Sequence, residues 1–136
     1  MAERPFEGKI ALITGAAQGI GRELARAYAR EGALPVIADK NGRGLKETEE
    51  LLAGEGYDSL SFVADMAVPE QVERMMLDIG ELQGGLDIVV NNAGYGIWKS
   101  PYELTIEEWD GVVHTNLRGT FVCSREAAKL MRKSGG

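Results

Sequence analysis

A chain of 136 residues holds one domain with one core, and 44% hydrophobic with 26% charged residues is the balance of a globular, soluble domain. A net charge of -6 argues against nucleic acid as a partner, and no apolar run approaches the ~20 residues of a membrane span. The polar opening MAERPFEGK lacks the apolar stretch of an export signal, and the lone Cys123 cannot form an internal disulfide, so the sequence predicts a cytoplasmic protein.

Short apolar runs alternate with amphipathic stretches along the chain. KIALIT (9–14) has the length and β-branching of a buried strand. Ile20, Leu24, Ala27 and Tyr28 then recur at helical steps. LPVIAD (34–39) predicts a second strand, with Pro35 tolerated at its start. Leu45, Thr48, Leu51 and Leu52 mark a second helix, closed by Gly54 and Gly56. SLSFVAD (59–65) predicts a third strand. Val72, Met75, Met76 and Ile79 mark a third helix whose start is poorly signalled, since Ala67 stands where a Ser or Thr cap is expected. LDIVVNNAG (86–94) predicts a fourth strand ending in turn residues, and the pattern from Thr105 to Lys133 is helical again. Strands alternating with helices of this length specify βαβ units, hence one α/β domain with a parallel sheet.

Between the first strand and the first helix stand Gly15, Gly19 and Gly21, a G-x-x-x-G-x-G spacing. Gly15 suits a tight turn, Gly19 lets backbone approach a pyrophosphate, and Gly21 lets the helix pack closely on the strand. Free N–H groups at the helix start then face anionic phosphates. The alternative is a plain glycine-rich turn, but the junction of strand and helix favours cofactor binding. Asp39 ends the second strand, where an acid accepts hydrogen bonds from ribose hydroxyls and repels a 2′-phosphate. Lys40 and Arg43 follow and soften that rejection, while Ala16, Ala17 and Gln18 supply no arginine. NAD is therefore favoured over NADP.

TGAAQGIG (14–21), Asp39, ADM (64–66), NNAG (91–94) and Asn116 in TNLRG occur in that order. Together they resemble the short-chain dehydrogenase/reductase family in its T-G-x-x-x-G-x-G subtype, over essentially the whole chain. The resemblance implies a Rossmann-type doubly wound parallel sheet, truncated after about four strands and the following long helix, with 1–136 as a single NAD(P)-binding domain. It implies that Gln18 and Ile20 join the three loop glycines at the cofactor, and that Asp65 and Met66 lie against the adenine. Asn91, Asn92, Ala93 and Gly94 support the phosphate loop and line the cofactor cleft. Asn116 resembles the catalytic asparagine, which sits in a helix break and holds a water of the proton relay. Read from its residue type alone, the alternative is an Asn that caps or kinks a helix.

The implied chemistry is reversible hydride transfer between a nicotinamide and a small-molecule alcohol or ketone. The family performs it with a tyrosine acid/base, a lysine one helical turn later and an upstream serine. Tyr95 and Lys99 have that spacing, but Gly96 lies between them, Pro101 follows, and they precede Asn116, so they read as a loop and a decoy. The true serine and pair are expected beyond Gly136, which leaves the cofactor half and predicts an inactive isolated chain. The alternative is a non-catalytic dinucleotide-binding module. The resemblance further implies a homo-oligomer through the last helix, with Phe121, Val122, Leu130 and Met131 expected as exposed apolar surface. Trp98 and Tyr102 either border the substrate pocket or pack. Cys123 reads as core, and the single His114 has no partners for a metal.

Overall fold

Four parallel strands carry the chain: β1 (Ile10–Thr14), β2 (Leu34–Asp39), β3 (Leu60–Val63) and β4 (Ile88–Val90), in the spatial order β3-β2-β1-β4. The computed structural model describes residues 3–135. The helices are α1 (Gly19–Arg30), α2 (Gly42–Gly54), α3 (Pro69–Gln83), α4 (Ile106–Val113) and α5 (Gly119–Lys133), with a π-turn over His114–Arg118 joining the last two. Among the described residues no helix is long and apolar enough to cross a membrane.

The strands are apolar on both faces because both faces are covered. Ala11, Ile13 and Ile37 pack with Ala25, Ala29, Leu45 and Leu52 of α1 and α2. On the other face Leu12, Val36 and Ala38 pack with Val72, Met75, Met76 and Ile79 of α3 and with Val122, Cys123, Ala127 and Leu130 of α5. This is the doubly wound arrangement expected of the sequence. Pro35 pairs with Ala11 on β1 but lies ahead of the first β2–β3 pair, Val36 with Leu60, so its missing N–H costs that ladder nothing.

Two strands are shorter than the pattern predicts. β3 covers Leu60–Val63 rather than 59–65, although the Ala64 N–H still reaches the Asp39 carbonyl at 3.0 Å. β4 stops at Val90 rather than continuing to 94, because the hydroxyl of Thr14 accepts from the N–H groups of both Asn92 (3.1 Å) and Ala93 (3.0 Å) and draws the chain off the sheet. The uncapped start of α3 is explained by Pro69 at its first position, where no N–H needs a partner. The helical stretch from Thr105 is broken at Asn116: the Gly119 N–H reaches back five residues to the His114 carbonyl.

The exposed surface expected on α5 is smaller than predicted. Val122 and Leu130 are buried against α3 and Met131 packs on the same cluster, whereas Phe121 is 62% exposed. The inward stripe of α5 runs 122–123–127–130, and Phe121 falls just outside it.

Candidate functional site

The order of the strands places a switch between β1 and β4: the chain winds outward through β2 and β3, then returns to the other side of β1. Ligands of open α/β sheets sit at the carboxyl ends of the strands flanking such a point. Thr14 is the hinge there. Besides accepting from Asn92 and Ala93, its hydroxyl stands 3.4 Å from the Val90 carbonyl, and Asn92 Nδ2 donates to the carbonyls of Thr14 (3.1 Å) and Gly15 (3.2 Å). The segment after β4 is thereby tied to the loop after β1.

That loop turns at Gly15 (φ +67°) and enters α1 at Gly19. Gly21 is required by packing alone, since a Cβ on it would stand 2.1 Å from the Gly15 carbonyl oxygen and 2.7 Å from Asn92 Nδ2. Gly19 differs: its φ is +55°, yet a Cβ there would meet nothing within 4 Å. The space beside Gly19 is open, and Gly19 is part of a cavity wall. Gln18 is the N-cap of α1 and makes no side-chain cap hydrogen bond, and no acid occupies the first turn. The positive end of α1 therefore faces outward unneutralised by its own chain.

It faces a cavity of about 430 Å³. Gly15, Gln18, Gly19 and Ile20 form one wall; Asp39 and Lys40 stand at the end of β2. Ala64, Asp65 and Met66 form a third side, and Asn92, Ala93, Gly94, Tyr95 and Thr115 a fourth. Of the residues predicted to contact a cofactor, Gly21 and Asn91 are not part of this lining. Gly21 is packed behind the loop, and Asn91 Nδ2 instead donates to Ser124 Oγ on α5 at 2.9 Å. Asp39 is held by two backbone donors, the N–H of Ala17 at 3.2 Å and that of Asn41 at 2.9 Å, which fix its carboxylate at the cavity edge. Asp65 likewise accepts from the Ala67 N–H at 2.9 Å.

Asn116 lies in the π-turn, outside the lining, with its side chain spent on the backbone of Tyr95. Its Oδ1 accepts from the Tyr95 N–H (3.0 Å), and its Nδ2 donates to the Tyr95 carbonyl (2.8 Å). The Asn116 carbonyl accepts from Thr120 Oγ1 at 2.8 Å. Tyr95 and Lys99 form no helical pair. The Tyr95 hydroxyl sits against Gly111 of α4, where a Cβ would come within 2.6 Å, while Lys99 Nζ is engaged by Glu108 at 2.5 Å. Trp98 and Tyr102 are almost wholly exposed and line no part of the cavity. Burial pushes the Cys123 thiol up to about 11, which leaves it protonated and inert as a nucleophile. Among the described residues no three His, Cys, Asp or Glu side chains come together as a metal site.

Sequence reading assigned no site role to Thr14, Ala64 or Thr115; it weighed Lys40 only as a charge beside Asp39 and read Tyr95 as part of a loop on the substrate side. Thr14 carried a signal, being a hydroxyl at the inner end of a buried strand that must find partners there.

The family profile described as short chain dehydrogenase matches residues 9–136. An uncharacterised oxidoreductase of Thermotoga maritima is 40% identical over 131 residues, covering 96% of this chain and 51% of its own length. A D-threitol dehydrogenase of Mycolicibacterium smegmatis is 35% identical, covering 96% of this chain and 50% of its own. A crystal structure of a short chain dehydrogenase from Burkholderia cenocepacia, in complex with NADP, superposes with a TM-score of 0.86 at 33% identity, covering 93% of this chain and 52% of that one. The chain thus spans about half the length of the curated relatives it matches.

Proposed function

The chain belongs to the short-chain dehydrogenase family, and we propose that residues 1–136 form the nicotinamide-dinucleotide-binding domain of an oxidoreductase acting on a small alcohol or carbonyl compound. The observation that carries this reading is the bare N-terminus of α1 opening into the cavity at the β1–β4 switch, with Asp39 across from it. The residues fit a dinucleotide. N–H groups of Gln18, Gly19 and Ile20 suit the pyrophosphate, Asp39 suits the adenine-ribose hydroxyls, and Asp65 and Met66 suit the adenine. Bound there, the cofactor supplies or accepts a hydride. Asn92, Ala93 and Gly94 close the cleft on the β4 side, and Asn116 holds the backbone at Tyr95, which fixes that wall.

Asp39 favours NAD over NADP, because a carboxylate fixed at the ribose repels a 2′-phosphate. Lys40 does not cancel this, since its Nζ stacks over the Tyr95 ring, 5.6 Å from the centroid. The NADP in the Burkholderia structure belongs to that protein's site. With Tyr95 and Lys99 committed elsewhere, the 136-residue chain binds dinucleotide and turns over no alcohol by itself. A full-length oxidoreductase would assemble as a homo-oligomer through α5, where Phe121 is exposed, and the reduced Cys123 suits the cytoplasm.

Isothermal titration of the chain with NAD, NADP and their reduced forms tests this. Binding of NAD tighter than NADP is the expected result. Tighter NADP binding would overturn the preference, and no binding of either would overturn the function.

A further inference from the structure

The loop before α1 is held from behind by side chains that never touch the cavity. The carbonyl of Ala16 accepts from Thr48 Oγ1 at 2.8 Å, and that of Ala17 from Arg22 Nη2 at 2.6 Å. The N–H of Ala16 donates to the Ala38 carbonyl at 3.2 Å, and that of Ala17 to Asp39 Oδ2 at 3.2 Å. All four polar groups of these two buried residues are taken by partners on β2, α1 and α2. Arg22 and Thr48 are themselves joined, Nε to Oγ1 at 2.9 Å, and the same guanidinium reaches the Gly44 carbonyl (3.3 Å) and Glu47 (3.3 Å). Thr48 is fully buried. With one proton, its hydroxyl donates to Ala16 and accepts from Arg22. Gly44 completes the contact, because a Cβ there would come 2.8 Å from the Cβ of Ala17 and 2.9 Å from its carbonyl oxygen.

From this arrangement we propose that the first two turns of α2 are the seat of the phosphate loop, and that Thr48 and Arg22 are positioning residues for dinucleotide binding. The proposal rests on the reading of the cavity as a dinucleotide site. By anchoring the carbonyls of residues 16 and 17, the pair fixes the orientation of the following peptides, whose N–H groups at 18–20 then point into the cavity. Arg22 is not itself a phosphate ligand: it is absent from the cavity wall, and its Nε and Nη2 are turned to carbonyls, a hydroxyl and a carboxylate behind the loop. The seat also couples the acid proposed for the ribose to the loop proposed for the pyrophosphate, since Asp39 bonds the N–H of the very residue whose carbonyl Arg22 holds.

Thr48→Val keeps the shape and removes both hydrogen bonds, while Thr48→Ser keeps the hydroxyl. NAD affinity is measured by titration well below the melting temperature, and amide exchange of residues 18–20 by NMR. The expected result is NAD binding weakened about tenfold in the valine variant, equivalent to about 1.4 kcal/mol, with faster exchange at 18–20 and recovery in the serine variant. A valine variant that melts earlier yet binds NAD like the unaltered chain, with unchanged exchange, would make Thr48 merely structural and overturn the proposal. If the valine variant does not fold, Arg22→Met is read by the same two measurements. If the unaltered chain binds no NAD, the function above fails, and exchange at 18–20 still decides whether α2 seats the loop.

Discussion

At the start of α4 the chain closes its own helix end, whereas at the start of α1 it leaves that end open. Thr105 Oγ1 accepts from the Glu108 N–H at 3.1 Å and Glu108 Oε2 accepts from the Thr105 N–H at 3.0 Å, a complete capping box with Glu107 and Glu108 in the first turn. The start of α1 has Gln18 without a cap bond and no first-turn acid. A missing cap is not by itself a binding site: α3 also lacks one, but Pro69 removes a donor and Glu70 answers the dipole. What distinguishes α1 is that its open end adjoins a cavity and is held rigidly from behind. An end finished by its own side chains serves stability, and an end left unfinished over a supported loop is what the proposed dinucleotide site needs.

The largest effect separates two glycines in the open end. Gly21→Ala would force a Cβ to 2.1 Å from a backbone oxygen that Asn92 also grips, so the loop or helix must move. We expect a loss of about 3 kcal/mol or more in denaturant unfolding and no NAD binding. Gly19→Ala meets no atom, and its positive φ costs only about 1 kcal/mol. It should fold and still lose NAD, because Gly19 lines the cavity and a methyl there takes room from the ligand proposed for it. Equal stability losses at the two positions would show that the space beside Gly19 is not what the structure describes.

A smaller effect comes from finishing α1 as α4 is finished. Gln18→Asp supplies an N-cap acceptor and a charge that suits the helix dipole, which should stabilise the chain by about 0.5–1 kcal/mol. The same carboxylate would repel a pyrophosphate, and NAD affinity should fall about tenfold. Stability and binding moving in opposite directions is the signature sought, by thermal melting and titration on one sample. If both rise, the anion of the ligand is not at α1.

Much of this contrast was legible in the sequence, and the illegible part has a common cause. β2 matched its run because a strand flanked on both sides must be apolar throughout and ends at a charged residue, Asp39. The tight turn between β1 and α1 was legible because glycine spacing and strand–helix junction are local. The end of β4 was not, since it depends on a hydroxyl 78 residues earlier in the chain. Nor was the burial of Val122 and Leu130, which needs the docking of α5 on α3. Thr48 stood in plain view on an otherwise apolar helix stripe. A buried hydroxyl there requires partners, but only the folded chain shows that they are Ala16 and Arg22.

The smallest effect lies at the closed end, and it should leave the open one untouched. Thr105→Ala removes the N-cap acceptor and should cost about 1 kcal/mol of stability, with NAD affinity unchanged because Thr105 lines no part of the cavity. Glu108 is held below the usual carboxylate range first by its hydrogen bond to Lys99 and then by the Thr105 N–H. A carboxylate lowered by folding stabilises the fold above its unfolded value of about 4.3 and ceases to do so as the pH falls through its lower folded value. Protonated, Glu108 loses its charge-assisted bond to Lys99 and accepts more weakly from the Thr105 N–H. The destabilisation measured for Glu108→Ala by denaturant titration should therefore be full at neutral pH and shrink as the pH falls below about 4.3. A Glu108→Ala penalty that stays constant across that range would mean that the charged carboxylate adds nothing to the box, and that the closed end rests on the Thr105 bond alone.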